Sequence, residues 1–193
     1  MIDIDNFHLM SKAFKQYIFN EHPEDLLELI KPRMKEKRYL HSLSVADVAV
    51  SLARSHHLDL RKAYLAGILH DITKSLSIDE HRVYFLYYDR DKIDVPEPIM
   101  HSYSAKYYIK EKLNLYDGDI LEAIYHHTDG ASNTRLTKIL YIADKREPLR
   151  GIHDQILDRA YHDLDRAYEE LKEDVKEYLK RNERSRISSE DIR

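Results

Sequence analysis

A run of seven uncharged residues, Ala63 to Leu69, ends directly in a histidine and an aspartate, His70 and Asp71. A helix built from such a run is apolar on nearly every side, which is typical of a helix in the middle of a core. Burying an imidazole and a carboxylate at its end without partners would cost several kcal/mol. The fold must therefore bring polar partners or a metal ion to His70 and Asp71.

The rest of the chain favours helices as well. Only 4 Gly and 5 Pro occur among 193 residues, too few for the many tight turns of an all-β fold. Helical spacing, caps and breakers predict helices at 7–19, from Pro23, at 41–53, at 60–71, at 99–113, from Asp117 or Asp119, from Asn133 or Thr134 to Ala143, and at 152–180. Residues 75–97 are polar and aromatic and show no clear pattern. We expect an all-α bundle of about seven helices.

The length of the chain indicates one domain with a hydrophobic core of its own. We expect this domain to span residues 23–181. Residues 1–22 form an N-terminal extension to which the sequence assigns no role. Residues 182–193 are predicted to be a flexible tail, since they follow the last helical pattern.

Composition excludes several classes of protein and site. The chain has no cysteine, so disulfides and thiolate metal sites are ruled out, and its net charge of −4 gives no general attraction to nucleic acid. Apolar stretches such as 139–143 are far too short to cross a membrane, and the acidic N-terminus is unlike a signal peptide. We expect a cytoplasmic protein. Its oligomeric state is left open, a homodimer included.

Twelve histidines are an unusual number for this length, and three of them precede an aspartate. The dipeptides His153-Asp154 and His162-Asp163 fall on the charged face of the predicted last helix, where solvated residues are expected. His70-Asp71 differs because it ends the apolar run. Two interpretations stand for it: a divalent metal site, or a core histidine paired with its neighbouring aspartate and a backbone carbonyl.

Further polar residues interrupt apolar stripes elsewhere: His41, His101, His127 and Asp144. Any one of them alone would favour an ordinary core residue with its hydrogen bonds satisfied. Together they predict helices packed around a shared centre, at which imidazole and carboxylate could hold Fe, Mn, Zn or Co. Arg38, Lys74 and Arg150 lie near these residues in sequence. They are either surface charges or contacts to an anionic substrate.

The order of these residues resembles the H…HD…D arrangement of HD-domain phosphohydrolases. The resemblance rests on Arg38-Tyr39-Leu40-His41-Ser42, Ala66-Gly67-Ile68-Leu69-His70-Asp71-Ile72-Thr73-Lys74 and Ile142-Ala143-Asp144. Finer details are similar to the YqeK family of symmetrical diadenosine tetraphosphate hydrolases: Lys37-Arg38-Tyr39, His127-Thr128 with Gly130, and Ala143-Asp144 followed by Glu147-Pro148 and Arg150. The likeness extends from about residue 24 to about residue 170.

The resemblance implies a role for each residue of the motif. The metal ligands would be His41, His70, Asp71 and Asp144, with iron as the expected ion and Mn, Co or Zn as alternatives. A second ion near His101 and His127 is left open. The catalytic residues would be Asp71, Lys74, His101 and His127. Substrate would be bound by Arg38, Asp71, Ile72, Thr73, Lys74, His101, His127, Thr128 and Arg150.

The activity implied is attack of a metal-activated water on the central phosphoanhydride of diadenosine tetraphosphate, which gives two molecules of ADP. One alternative is an HD-domain phosphohydrolase that acts on another nucleotide or dinucleotide polyphosphate. Another is a non-catalytic helical module that binds nucleotides or proteins. Two stretches depart from the family's wording: Ser102-Tyr103-Ser104-Ala105 replaces a sequence that usually contains glycine, and 130–134 is one residue shorter.

Overall fold

A computed structural model describes residues 25–148 and 155–190, with side chains for 26–148 and 155–182. In these ranges the chain forms nine α-helices and no strand, which confirms the all-α prediction. They are α1 (Asp25–Ile30), α2 (Glu36–Ser55), α3 (Leu60–Leu69), α4 (Ile78–Tyr88), α5 (Glu97–Tyr108), α6 (Gly118–Tyr125), α7 (Arg135–Arg146), α8 (Gln155–Ala160) and α9 (Leu164–Glu190). The N-terminal extension and the helix predicted at 7–19 lie outside the described residues.

Helix α3, the apolar run of the sequence, is buried between α2, α6 and α7. It packs most closely on α2, where a Cβ on Gly67 would lie only 2.5 Å from the Cα of Ala46. Only glycine allows the two backbones to approach this closely. The tight packing positions His70 and Asp71, which follow directly on α3.

Capping residues determine where the helices near the site begin. The Asp117 side chain accepts hydrogen bonds from two backbone N–H groups at the start of α6, and Thr134 accepts one at the start of α7. The sequence left Asp119 open as an alternative to Asp117, and Asn133 as an alternative to Thr134. Asp117 and Thr134 are the residues that cap the two helices. Gly130 adopts a left-handed conformation (φ 61°) and donates its N–H to the carbonyl of His126 at 2.9 Å, as a helix-ending glycine does.

Helix α4 lies in the stretch 75–97, for which the sequence showed no pattern. It starts with a capping box, in which Ser77 and Glu80 each accept from the other's backbone N–H. Along its length α4 buries only His81 and Phe85. Because so few of its residues are buried, its apolar periodicity is weak, although the capping box was visible in the sequence.

The prediction of one helix over 152–180 is wrong, because a turn separates α8 from α9. The carboxylate of Asp163 accepts from the backbone N–H of Arg166 at 3.1 Å and starts a new helix there. Helix α9 then continues to Glu190, well into the segment that was predicted to be a flexible tail. Within the described ranges, no helix is both long enough and apolar enough to cross a bilayer.

Candidate metal centre

Three separate parts of the chain bring four predicted metal ligands into one cluster. His41 lies on α2, His70 and Asp71 follow α3, and Asp144 lies on α7. The Asp144 Oδ1 atom is 3.2 Å from Nε2 of His41 and 3.6 Å from Nε2 of His70. Asp71 Oδ2 lies 3.5 Å from Nε2 of His70 and 3.9 Å from Nε2 of His41. The three residues other than Asp144 are at most 8% exposed.

The orientation of His70 suits a metal ligand. Its Nδ1 lies 2.7 Å from the carbonyl oxygen of Gly67. Because a carbonyl only accepts, Nδ1 carries the proton and the Nε2 atom is turned into the cluster. Nε2 is fully buried and makes no hydrogen bond there. A buried nitrogen without a hydrogen-bond partner, surrounded by an imidazole and two carboxylates, has the environment that a divalent cation would satisfy.

A buried glutamate orients His41. Glu147, which is 2% exposed, places Oε1 3.2 Å from Nδ1 of His41, and its Oε2 accepts from the hydroxyl of Ser44 at 2.7 Å. A carboxylate on the far nitrogen of a metal-ligating imidazole holds the ring in position. The sequence interpretation did not assign this role to Glu147, although its position three residues after Asp144 places both on one side of the chain.

A second group of potential ligands shares Asp71 with the first. Asp71 Oδ1 lies 3.1 Å from Nε2 of His101 and 3.9 Å from Nε2 of His127, and these two Nε2 atoms are 3.2 Å apart. His127 donates its Nδ1 proton to the carbonyl of Ile124 at 2.7 Å, so its Nε2 also faces inward. Each set, His41–His70–Asp71 and Asp71–His101–His127, could hold one metal ion.

Charges in the cluster keep both carboxylates ionised. Burial alone would raise the pKa of Asp71, but His70 and a hydrogen bond from His101 hold it well below its usual value. Burial likewise opposes ionisation of Asp144, yet Lys145 and His41 lower its pKa well below the ordinary range. Both residues are therefore anionic oxygen donors at neutral pH.

The histidines differ in protonation. Burial would lower the pKa of His70, but Asp71 and Asp144 raise it to about 10. Burial lowers the pKa of both His101 and His127, and the positive charge of His70 lowers the pKa of His127 further. His101 and His127 are thus neutral near pH 7, whereas His70 has to lose a proton before Nε2 can bind a metal.

A cavity of about 180 Å³ opens beside Asp71 and is lined by Met34, Lys35, Arg38, Asp71, Lys74 and Ser75. Arg38 Nη1 donates to Asp71 Oδ2 at 2.5 Å. Lys74 Nζ donates to the carbonyl of Pro98 at 3.2 Å and lies 3.0 Å from Nδ1 of His101. The cavity, which we call the basic pocket, therefore combines three cationic side chains with the carboxylate that the two ligand sets share.

Some predicted substrate contacts are placed elsewhere. Ile72 and Thr73 do not line the basic pocket: Ile72 is packed in the core at 4% exposure, and Thr73 is fully buried with its hydroxyl donated to the carbonyl of His101. Ser104 also donates its hydroxyl to Thr73 Oγ1 at 3.1 Å. The assignment of Ile72 and Thr73 to substrate stays a prediction. Thr128 Oγ1 lies 2.7 Å from the hydroxyl of Ser102. Arg150 falls outside the described residues.

The dipeptide His162-Asp163 takes no part in this cluster. His162 is exposed in the turn between α8 and α9, where Asp163 caps α9. The pair thus has the solvated, structural role that the sequence favoured for it. His153-Asp154 lies outside the described residues.

Comparison with known proteins agrees with this geometry. The family model described as "HD domain" matches residues 38–149, which include all six clustered histidines and aspartates. The chain belongs to the HD-domain family. A symmetrical bis(5'-nucleosyl)-tetraphosphatase from Halalkalibacterium halodurans is 35% identical over 64% of this chain and 68% of its own. A protein of the same name from Bacillus subtilis is 32% identical over 75% of this chain and 80% of its own.

A solved structure shows the same architecture in a further member. It is that of a predicted HD superfamily hydrolase involved in NAD metabolism from Clostridium acetobutylicum. The TM-score is 0.63 at 28% sequence identity, over 88% of this chain and 87% of that one. The HD-domain assignment implies a divalent metal ion, and the clustered histidines and aspartates of this chain are able to bind one.

One further residue of this HD domain escaped the sequence interpretation. Lys145 Nζ donates to the carbonyl of His127 at 2.8 Å and lies 3.5 Å from Asp144 Oδ2. It therefore connects the two ligand sets on the side of α7. The only signal in the sequence was its position next to Asp144.

Proposed function

We propose that this chain is a metal-dependent hydrolase that cleaves diadenosine tetraphosphate symmetrically into two molecules of ADP. The observation that carries the proposal is the joint placement of the two ligand sets and the basic pocket around Asp71. The names of the relatives supply the substrate class, since they are symmetrical bis(5'-nucleosyl)-tetraphosphatases. One alternative is an HD-domain phosphohydrolase that acts on another nucleotide or dinucleotide polyphosphate. The other is a non-catalytic helical module that binds nucleotides or proteins.

In this proposal His41, His70, Asp71 and Asp144 hold one divalent ion, and Asp71, His101 and His127 hold a second. The donor set is all nitrogen and oxygen, which suits Fe, Mn, Co and Zn, and we propose iron as the native ion. When bound, such ions lower the pKa of water and neutralise charge on phosphoryl oxygens.

The side chains of the basic pocket would bind and orient the polyphosphate. Lys35, Arg38 and Lys74 line the pocket together with Asp71, so a phosphate in this pocket would meet three positive charges. Cationic donors fixed beside the scissile bond stabilise the negative charge that develops on its oxygens. Arg38 would also hold Asp71 in place through their ion pair.

Analysis of reaction products tests the proposal. Protein loaded separately with Fe²⁺, Mn²⁺, Co²⁺ or Mg²⁺ is incubated with diadenosine tetraphosphate, and the nucleotides are separated by chromatography. Two ADP per substrate support symmetrical cleavage, whereas ATP plus AMP would contradict it. Hydrolysis of only other nucleotides would favour a different HD-domain phosphohydrolase, and no turnover of any nucleotide would favour a binding module.

Two variants show whether the activity belongs to this site. Asp71→Ala is expected to abolish cleavage, because Asp71 is shared by both ligand sets. Asp79→Ala is the matched control, since Asp79 is an aspartate on α4 whose side chain is 95% exposed. Equal loss of activity in both variants would assign the cleavage to something other than this centre.

A further inference from the structure

Four tyrosines line a second cavity, of about 380 Å³, between α4 and the C-terminal end of α5: Tyr84, Tyr87, Tyr88 and Tyr108. We call it the tyrosine groove. Cavities of this size are typical of small-molecule sites, which combine aromatic walls with a few polar groups. Tyr108 belongs to the hydrophobic core and Tyr84 packs against it, whereas Tyr87 and Tyr88 are exposed.

Two of the four rings are displayed to solvent. Tyr87 is 79% exposed and Tyr88 is 51% exposed. The Tyr88 ring is nonetheless held in place, because it stacks on Tyr107 with ring centroids 5.1 Å apart and its hydroxyl donates to Glu111. A fixed, half-exposed aromatic ring is a surface on which another flat ring can stack at little cost in side-chain entropy.

The tyrosine groove lies beside the basic pocket. Arg33 lines the groove and the next residue, Met34, lines the pocket; Leu76 lines the groove and Ser75 lines the pocket. The Ser75 hydroxyl donates to the carbonyl of Arg33 at 3.4 Å, which joins the two walls. Adjacent residues are only about 3.8 Å apart along the backbone, so the two cavities are within the reach of one nucleotide.

We infer that the tyrosine groove binds one adenine base of the dinucleotide while the attached phosphates occupy the basic pocket. The inference rests on the proposed function and extends it to a base-binding subsite. An aromatic groove next to a cationic pocket matches a nucleotide, which is a flat ring joined to phosphates. The carboxylates of Glu80 and Glu111 in the groove are acceptors for the exocyclic amino group of adenine.

The test compares two ligands that differ only in the nucleoside. Binding of ADP and of pyrophosphate to the full-length, Mn²⁺-loaded protein is measured by calorimetry for the wild type and for a Tyr87→Ala/Tyr88→Ala double variant. Loss of base stacking is expected to weaken ADP binding roughly 5- to 150-fold. Pyrophosphate, which has no base, is expected to bind equally well to both proteins.

Further variants separate stacking from folding. Tyr88→Phe keeps the ring and should retain ADP binding, and Tyr178→Ala removes a 60% exposed tyrosine of α9 as a matched control. If the double variant is not folded by circular dichroism, Tyr87→Ala alone replaces it. A several-fold loss of ADP binding is still expected there, because one stacking ring is removed.

Three results would overturn the inference. They are equal weakening of both ligands, no change in ADP binding, and a wild type that binds ADP no more tightly than pyrophosphate. A change of oligomeric mass in the double variant with ADP binding intact would make the groove an interface between copies instead. Because binding is measured without turnover, a protein that fails to cleave diadenosine tetraphosphate but selects ADP through the groove refutes only the proposed function.

Discussion

Oδ1 of Asp71 lies 3.1 Å from Nε2 of His101, while the other oxygen of the same carboxylate faces His70 and His41. One side chain thus joins two sets of potential metal ligands. It is also paired with Arg38 from the basic pocket. Asp71 is the point at which metal binding and substrate binding meet.

Removing the carboxylate of Glu147 tests how much its contact with His41 contributes to metal affinity. The Glu147→Ala change leaves Nδ1 of His41 without its partner, so we expect metal affinity to fall about 10- to 100-fold. Competition with a chelator of known affinity measures the change. Glu147→Gln keeps an acceptor oxygen and should lose less. Unchanged affinity in both variants would mean that Glu147 does not support the metal site.

The close approach of α2 and α3 predicts that Gly67→Ala is destabilising. The new methyl group would meet backbone atoms of Ala46, and such overpacking costs about 1–3 kcal/mol or more of unfolding free energy. Denaturant unfolding measures it, and metal affinity should fall as well because the carbonyl of Gly67 orients His70.

Gly118→Ala is the matched control for that substitution, since a Cβ at Gly118 has no neighbour within 4 Å. We expect it to leave the unfolding free energy nearly unchanged. Equal stability losses in the two variants would show that the helix contact at Gly67 is not the cause.

The raised pKa of His70 predicts a pH dependence of stability in the metal-free protein. Its pKa is about 10 when folded and 6.5 in the unfolded chain. The contribution is therefore fully present below pH 6.5 and is lost as the pH rises from 6.5 to 10. The lowered pKa values of His101 and His127 place their titration below this window.

Thermal unfolding across pH 6.5 to 10 measures this effect. Tm of the metal-free protein should fall over the window, and the fall should be weaker in the His70→Gln variant, which cannot hold the proton. With metal bound the proton is displaced, so the loaded protein should not show this loss. An identical pH profile for wild type and His70→Gln would refute the assignment.

Lys74 is predicted to act on substrate rather than on stability. Lys74→Ala removes a cation beside His101 and Asp71, and we expect kcat/KM for diadenosine tetraphosphate to fall by about 100-fold. Steady-state kinetics measure the loss, with Lys176→Ala as control because that lysine is 58% exposed on α9. A Lys74→Ala variant with normal kcat/KM but lowered Tm would make the residue structural.

The convergence of the histidines and aspartates could be predicted because each interrupts an apolar stripe. His41 and His70 lie where buried residues are expected, so each needs a polar partner in the core. Glu147 interrupts no apolar stripe, and although Glu147-Pro148 is part of the family resemblance, nothing in the local sequence indicates its contact with His41. Its role depends on the packing of α2 against α7, which local sequence does not encode.

The misplaced elements have a similar explanation. Helix α4 was not predicted because it buries only His81 and Phe85 along its length, which leaves little apolar periodicity. The break before α9 depends on the hydrogen bond that the Asp163 carboxylate accepts from the backbone N–H of Arg166. In the sequence, Asp163 is one of many charged residues and does not stand out. Ile72 and Thr73, which the family resemblance assigned to substrate, are both buried, and their contact with substrate stays a prediction.

Metal content tests directly whether the clustered histidines and aspartates bind ions. The full-length protein, purified without chelators, is analysed by inductively coupled plasma mass spectrometry next to Asp71→Ala and Asp79→Ala. We expect two transition-metal ions per wild-type and Asp79→Ala chain and a clear loss in Asp71→Ala. Wild-type protein that cleaves diadenosine tetraphosphate without stoichiometric metal, or an Asp71→Ala variant with full metal content, would contradict this expectation.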